Sequence, residues 1–345
     1  MNKSSILLAA LLIAVGLVLH SDVFGQTTYA TDKGYTINYL DITSVRNLAA
    51  GNVTLLGNDP NDLYTNPARL VAAMETQTTG VSANYIGMDK NTSMLNGTFS
   101  RKFFENFVAF LGLQRKFSGS VHVSPLTPGT IGLTNNPFLG EDKTPRDNFI
   151  VMGAAFRLSD TAAWSFSLSG RYLTSNIANG NLGTNLYDYA STTTFTVSAF
   201  HNGKITNEGQ LIYGIAISNV PFNDQSSMLQ YSMDNVHHLQ TIARFSGAYS
   251  ITGMHHEFTV AVDMGSELTA SHTTNGYSGS VGAEYVRHID DIDLSFRAGF
   301  GSNSYYSGPS LGAGVGYKKI HINFAYLTPS GRSPSCMFGS SYYFK

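Results

Sequence analysis

From about residue 78 onward, apolar and polar positions alternate with a period of two, the pattern of strands that turn one face to an apolar medium and the other to polar surroundings. The clearest run is Trp164-Ser165-Phe166-Ser167-Leu168-Ser169-Gly170-Arg171-Tyr172, in which every second residue is apolar or glycine and the others are serine or arginine. A second, Ile292-Asp293-Leu294-Ser295-Phe296-Arg297-Ala298-Gly299-Phe300, sets Asp293, Ser295 and Arg297 opposite the hydrophobes. Segments of this kind predict strands near residues 78–87, 92–100, 106–116, 148–157, 162–174, 189–201, 209–218, 238–250, 256–266, 277–287, 291–302, 310–317, 319–327 and 335–344. That makes about fourteen, an even number as in bacterial single-chain membrane barrels.

The connections supply an independent check, because such barrels alternate short periplasmic turns with longer external loops. Arg101 to Glu105, Leu158 to Thr161, Asn202 to Glu208, Ile251 to His255, His288 to Asp290 and Lys318 are brief, whereas Phe117 to Asp147, Ser175 to Asp188 and Asn219 to His237 are long. A two-sheet sandwich also has a polar face, but it does not call for this alternation. A charge facing lipid at the midplane costs about 2–4 kcal/mol. By parity Arg171, Arg244, Glu257, Asp263, Glu284, Asp293 and Arg297 all fall opposite the main apolar set, where they face the lumen and can pair across strands. A polar lumen of this kind speaks against a greasy conduit through it. The expected fold is therefore all-β, an antiparallel transmembrane β-barrel of about fourteen strands.

Composition agrees. Charged residues are only 13% of the chain, against roughly 25% in ordinary soluble domains, while Gly numbers 34, Tyr 19 and Phe 21. After the N-terminal region no run is apolar for long enough to span a bilayer as a helix. At the start, Lys3 precedes an apolar run from Ile6 to Leu19 and a polar break at His20-Ser21-Asp22, with Val23 and Gly25 at the −3 and −1 positions of a cleavage site. That is the layout of a cleaved signal peptide, shorter than the roughly 20 residues of a membrane helix. The expected organisation is a signal peptide over 1–25, an N-terminal extension and hatch over 26–77, and the barrel over 78–345, in the outer membrane of a Gram-negative bacterium. The ending Tyr342-Tyr343-Phe344-Lys345 resembles the aromatic terminal strand that sorts outer-membrane barrels, with Lys345 a departure from the commonest form.

The segment from Asp41 to Leu70 differs in character from the strands. Ala50-Gly51 is followed by the apolar run Val53 to Leu56, an Asp-rich turn from Asn58 through Asp59 to Asp62, and Tyr64 shortly before Asn66-Pro67-Ala68. This order resembles the N-terminal signature of FadL-like outer-membrane barrels, and more closely the PorV/PorQ branch of Bacteroidetes-type bacteria. The recognisable motif covers about residues 43 to 72; Arg69 stands where the family often has a small residue. The resemblance implies a hatch that plugs the barrel from inside, with Ala50, Gly51, Asp59, Tyr64, Asn66, Pro67 and Ala68 as its motif. Independently of the family, Pro67 forces a sharp turn and Asn66 is placed to cap a short helix over 68–74.

Candidate chemistry changes this picture little. The histidine pairs His237-His238 and His255-His256 are adjacent in strands, so their side chains point to opposite faces and do not share a metal ion. The only cysteine, Cys336, leaves no disulfide framework or thiolate cluster. The one Gly-x-Ser-x-Gly string, Gly308-Pro309-Ser310-Leu311-Gly312, runs into a predicted strand rather than a strand-to-helix turn, and no phosphate-binding loop is present, so no catalytic residues, metal or cofactor are expected and the chain is not read as an enzyme. A net charge of −2 argues against a nucleic-acid partner. Outer-membrane lipid is the first expected partner. The resemblance implies a component of type IX secretion that handles secreted cargo or machinery proteins through external loops, such as that holding Pro125, Pro128, Pro137 and Pro145. The alternative it implies is a FadL-like transporter for a hydrophobic small-molecule ligand, such as a long-chain fatty acid.

Overall fold

In a computed structural model, the structure describes residues 28–29, 44–87, 92–118, 121–122, 142–143, 146–159, 162–177, 188–204, 209–221, 228–232, 235–238, 241–268, 277–302, 307–328 and 334–344. The expected signal peptide and most of the three long loops lie outside these residues.

Among the described residues, fourteen antiparallel strands close into one barrel. They are β1 (Thr79–Gly87), β2 (Thr92–Phe104), β3 (Phe107–Ser118), β4 (Arg146–Arg157), β5 (Trp164–Ile177), β6 (Asp188–Lys204), β7 (Gly209–Pro221), β8 (Ile242–Thr252), β9 (His256–Glu267), β10 (Tyr277–Ile289), β11 (Ile292–Ser302), β12 (Ser307–Tyr317), β13 (Ile320–Leu327) and β14 (Ser335–Phe344). Each pairs with its neighbours in sequence, and β14 returns to β1, from Phe344 opposite Thr79 to Met337 opposite Ile86. Closure leaves no open edge, so every strand's backbone groups find partners within the sheet, which a hydrocarbon surrounding requires.

The wall is inside-out relative to a soluble protein. Along β9, Phe258, Val260, Val262 and Met264 are exposed while Thr259, Ala261 and Asp263 are buried. On β5, Trp164, Leu168 and Tyr172 face outward, and Ser165, Ser167, Ser169 and Arg171 face the lumen. An apolar exterior carried by this alternation is the surface a lipid bilayer solvates, so the barrel spans a membrane. Trp164, Tyr213 and His201 gather at the short-turn end of β5, β6 and β7, with ring centroids 4.5 to 5.4 Å apart, as part of the aromatic girdle expected at an interface. The terminal Tyr342 and Phe344 pack edge to face at 4.3 Å at the same end.

Chain running into β1 from Ser44 fills the lumen rather than hanging below it. It comprises α1 (Val45–Leu48), a 3₁₀ turn over Pro60–Tyr64, a second over Pro67–Arg69, and α2 (Leu70–Ala73). These pieces are too short to persist alone; burial holds them. Val45, Leu48 and Ala49 pack on Ile86, Met94, Ala325 and Met337, while Leu63, Leu70, Val71 and Met74 pack on Val108, Phe110, Phe149, Val151 and Leu173. The inward set is therefore not uniformly polar, as the parity of the charged residues suggested. Apolar residues face the lumen on β3, β4 and β5 because the hatch, and not water, is what they meet there.

The interface between hatch and wall

The hatch motif sits where the wall has been made thin. Gly51 takes a left-handed backbone with φ of +79°, and Ala49-Ala50-Gly51 lies against Gly282, Gly299 and Gly312 on β10, β11 and β12. A Cβ added at Gly282 would overlap the Ala50 carbonyl oxygen, and one at Gly312 would overlap the Ala49 side chain. These strand glycines admit the hatch backbone, the close approach for which strand glycine is suited. Ser310 Oγ, on the same wall, accepts from the Gly51 N–H at 2.7 Å.

Asp59 organises the middle of the hatch. Its carboxylate accepts from the Asn61 N–H at 2.9 Å and from Asn61 Nδ2 at 2.6 Å, and from the Ser44 hydroxyl. As the N-cap of the 3₁₀ turn it also places Pro60 at the first position, where a missing N–H is harmless. Asn61 Oδ1 in turn accepts from Ser82 Oγ and Asn84 Nδ2 on β1. Tyr64 reaches the wall on the other side: its hydroxyl lies 2.9 Å from both the Gly97 and the Leu113 carbonyl oxygens, and its ring stacks on Phe149 at 6.4 Å. Burial pushes the Tyr64 hydroxyl pKa well up, so it stays a donor.

Pro67 begins the second 3₁₀ turn, with Asn66 at its N-cap. Asn66 makes no side-chain cap, contrary to expectation; its Nδ2 donates instead to the Ala199 carbonyl at 3.3 Å. The wall is close enough there to compete with the local cap, since a Cβ at Gly214 would meet that amide. The expected single helix over 68–74 is likewise split into 3₁₀ and α pieces. Ala68 is held at both ends of its peptide, its N–H donating to Ser198 Oγ at 3.1 Å and its carbonyl accepting from Ser165 Oγ at 2.7 Å.

The inward charges bind this segment more than they bind each other. Glu284 and Arg297 are direct cross-strand partners, 2.6 Å apart, as parity allowed. What the strand pattern does not reveal is that the other Glu284 oxygen meets Arg46 of α1 at 2.6 Å. One carboxylate, 1% exposed, thus joins a hatch guanidinium to a wall guanidinium. Burial alone would lower the Arg46 pKa, but the Glu284 charge outweighs it and raises it. Asp263 accepts from the Thr54 N–H at 3.0 Å, and Thr54 Oγ1 lies 2.7 Å from Ser246 Oγ. Arg171 donates to the Tyr64 carbonyl and, at 3.1 Å, to Asn219 Oδ1; Asn219 sits at a bulge in β7 with φ of +58°. Asp293 pairs with His288 at 2.7 Å. Glu257 accepts from Ser250 Oγ at 3.0 Å. Arg244 shares the lumen-facing parity of Ser246 and Ala248.

Two hatch groups outside the motif complete the set. Arg69 is 2% exposed, donates to the Thr54 carbonyl at 2.6 Å and to the Gly57 carbonyl, and lies 3.2 Å from Asp62. Arg69 is therefore the tie between the two halves of the hatch. Asp62 is fully buried and neither oxygen accepts a hydrogen bond. Burial pushes its carboxyl up to about 7, against the opposing pull of Arg69. The available signal was four charged residues, Arg46, Asp59, Asp62 and Arg69, in a segment otherwise apolar enough to be core.

Below the hatch, at the end carrying the short turns, a cavity of about 500 Å³ opens between hatch and wall. Arg46, Asp59 and Arg69 reach it from the hatch, and Glu257, Asp293 and Arg297 from the strands. No group of three or more metal-ligating side chains occurs among the described residues.

A closed barrel with its own N-terminal segment bonded into the lumen defines the class: a transmembrane β-barrel with an internal hatch. Its fold is FadL-like. The Pseudomonas putida toluene transporter TodX superposes with a TM-score of 0.55 at 11% identity, over 92% of this chain and 99% of that one. The Ralstonia pickettii toluene transporter TbuX gives 0.54 at 12% identity, over 90% and 100%. The CymD monoaromatic hydrocarbon channel gives 0.53 at 8% identity, over 88% and 97%. At such identities the likeness is one of fold. No protein-family model and no curated protein matches the sequence.

Proposed function

We propose that the chain is a FadL-like transporter of the Gram-negative outer membrane, reached through a cleaved signal peptide, that admits hydrophobic small molecules past a movable hatch. The observation that carries this reading is the hatch itself, residues 44–77 threaded through a barrel whose fold spans nearly the whole of two toluene transporters. The apolar inward surface of Val108, Phe110, Phe149, Val151 and Leu173 supports it, because a greasy solute has a wall to follow when the hatch shifts. Uptake of labelled toluene and of a labelled long-chain fatty acid by cells lacking their own hydrocarbon porins tests the proposal. Expression of the chain should raise uptake of at least one of them several-fold at low concentration. Uptake equal to the empty-vector control for both would defeat it.

A PorV/PorQ-like role in type IX secretion is the second reading. It rests on the motif between Ala50 and Ala68, and the firm bonding of the hatch favours it, since a plug tied to the wall suits a scaffold for proteins at the external loops. The fold comparisons weigh toward transport. Affinity purification from native membranes distinguishes the two: secretion-machine components should co-purify under this reading and be absent under the first.

A further inference from the structure

The ladder that closes the barrel, β14 against β1, has the least support of its own. It alone in the wall joins strands from opposite ends of the barrel sequence, pairing Phe344 with Thr79, so its closure carries the largest loop entropy. The strands around it are also the shortest. β13 has 8 residues, β1 has 9 and β14 has 10, whereas no other wall strand has fewer than 11.

The hatch crosses the lumen at this place. Val45, Leu48 and Ala49 form one buried cluster with Ala325 and Leu327 of β13 and Met337 of β14 on one side of the seam, and with Ile86 of β1 and Met94 of β2 on the other. Ile86 is one residue from the end of β1 and Leu327 ends β13, so the cluster lies at the long-loop end. Gly339 of β14 lets α1 come close, since a Cβ there would stand 3.2 Å from the Val45 Cβ. Polar bonds reach β1 from the same helix: Ser44, its N-cap, donates to Asp59, which accepts from Asn61, and Asn61 accepts from Ser82 and Asn84 of β1. At the short-turn end the hatch passes into the wall through Thr78, whose N–H donates to the Phe344 carbonyl at 2.9 Å. Chain that precedes the barrel therefore holds the seam at both ends.

Parting the seam would expose the inward apolar side chains of β13, β14, β1 and β2 together with Val45 and Leu48. That burial favours closure beyond what the short ladder supplies by itself. We infer that α1 is a staple across the closing seam of the barrel, a fixed part of the wall and not of the moving gate. The Arg46–Glu284 bond reaches β10 and is separate from the seam cluster. The staple does not depend on the transport reading; under that reading it leaves the motion to the hatch beyond Gly51.

Amide hydrogen exchange of the full-length protein in detergent tests this by comparing Leu48→Ala with Leu70→Ala, an equally buried hatch leucine that packs on β3 to β5 instead. Leu48→Ala should speed exchange about tenfold or more in residues 79–86 and 337–344, which pair across the seam, and leave β4 to β6 unchanged. Leu70→Ala should spare the seam. Where Leu48→Ala does not fold, a disulfide made by Ala83→Cys and Ser340→Cys, register partners on the outward face of the seam, with Cys336→Ser, should restore its folding. Unchanged seam exchange in Leu48→Ala, an equal rise in Leu70→Ala, or failure of the disulfide to rescue an unfolded Leu48→Ala would each overturn the staple.

Discussion

At the scale of single residues, the hatch is held by a few buried polar groups whose removal leaves partners stranded. Glu284 is the most exacting. Replacing it with Gln leaves Arg46 and Arg297 facing each other in the lumen without the carboxylate they share. Breaking a buried ion pair from one side costs about 3–5 kcal/mol. Glu284→Gln should therefore speed amide hydrogen exchange in residues 45–59 by a hundredfold or more while leaving the strands protected; unchanged exchange would refute the clasp. Asp62 gives a pH signature. Its folded value of about 7 stands above the ordinary 3.8, so its contribution to stability is fully present below about 3.8 and is lost as the pH rises through 7. A rise of that size corresponds to ~4 kcal/mol as an upper figure. Hatch protection factors, with the base-catalysed intrinsic rate divided out, should accordingly fall from pH 4 to pH 8, and Asp62→Asn should flatten that dependence.

At the scale of elements, the wall strands were legible because a period of two is set by the pleat and survives any detail of packing. All fourteen predicted segments have counterparts, with ends displaced by a few residues: β2 continues to Phe104 and β8 begins at Ile242. The hatch was legible only as an order of residues. Its short helices answer to the wall more than to local preference, which is why Asn66 bonds Ala199 rather than capping, and why Arg69 could not be placed before its partners Asp62 and Thr54 were seen together. Polar parity put Arg171, Asp263, Glu284 and Arg297 on one face, where each is buried, but nothing in a strand pattern says that Glu284 reaches Arg46, 238 positions away. The glycines of β10 to β12 have the same character: a strand pattern does not say what approaches them, and in the barrel they are the groove for Ala49 to Gly51. Gly312→Val should lift that part of the hatch. The expected readout is a protease-sensitive site near residue 50 in folded, membrane-inserted protein, where the unaltered chain resists; equal resistance would show that the groove is not needed.

At the scale of the whole molecule, a rigid lipid-facing wall encloses a lumen filled by the chain's own N-terminal segment. Under the proposed transport role, the wall sets location and the hatch sets what passes. If the hatch must shift for passage, tying it to the wall should stop transport without altering the barrel. Thr54 and Ser246 suit the purpose, their hydroxyl oxygens being 2.7 Å apart across the interface, so that cysteines at these positions direct their sulfurs at one another. The most direct measurement is uptake of labelled toluene by cells expressing Thr54→Cys/Ser246→Cys, with Cys336 replaced by Ser, before and after reduction. The expected result is uptake at the empty-vector level while the bridge is intact and several-fold higher once it is reduced; equal uptake in the two states would contradict the hatch as the gate.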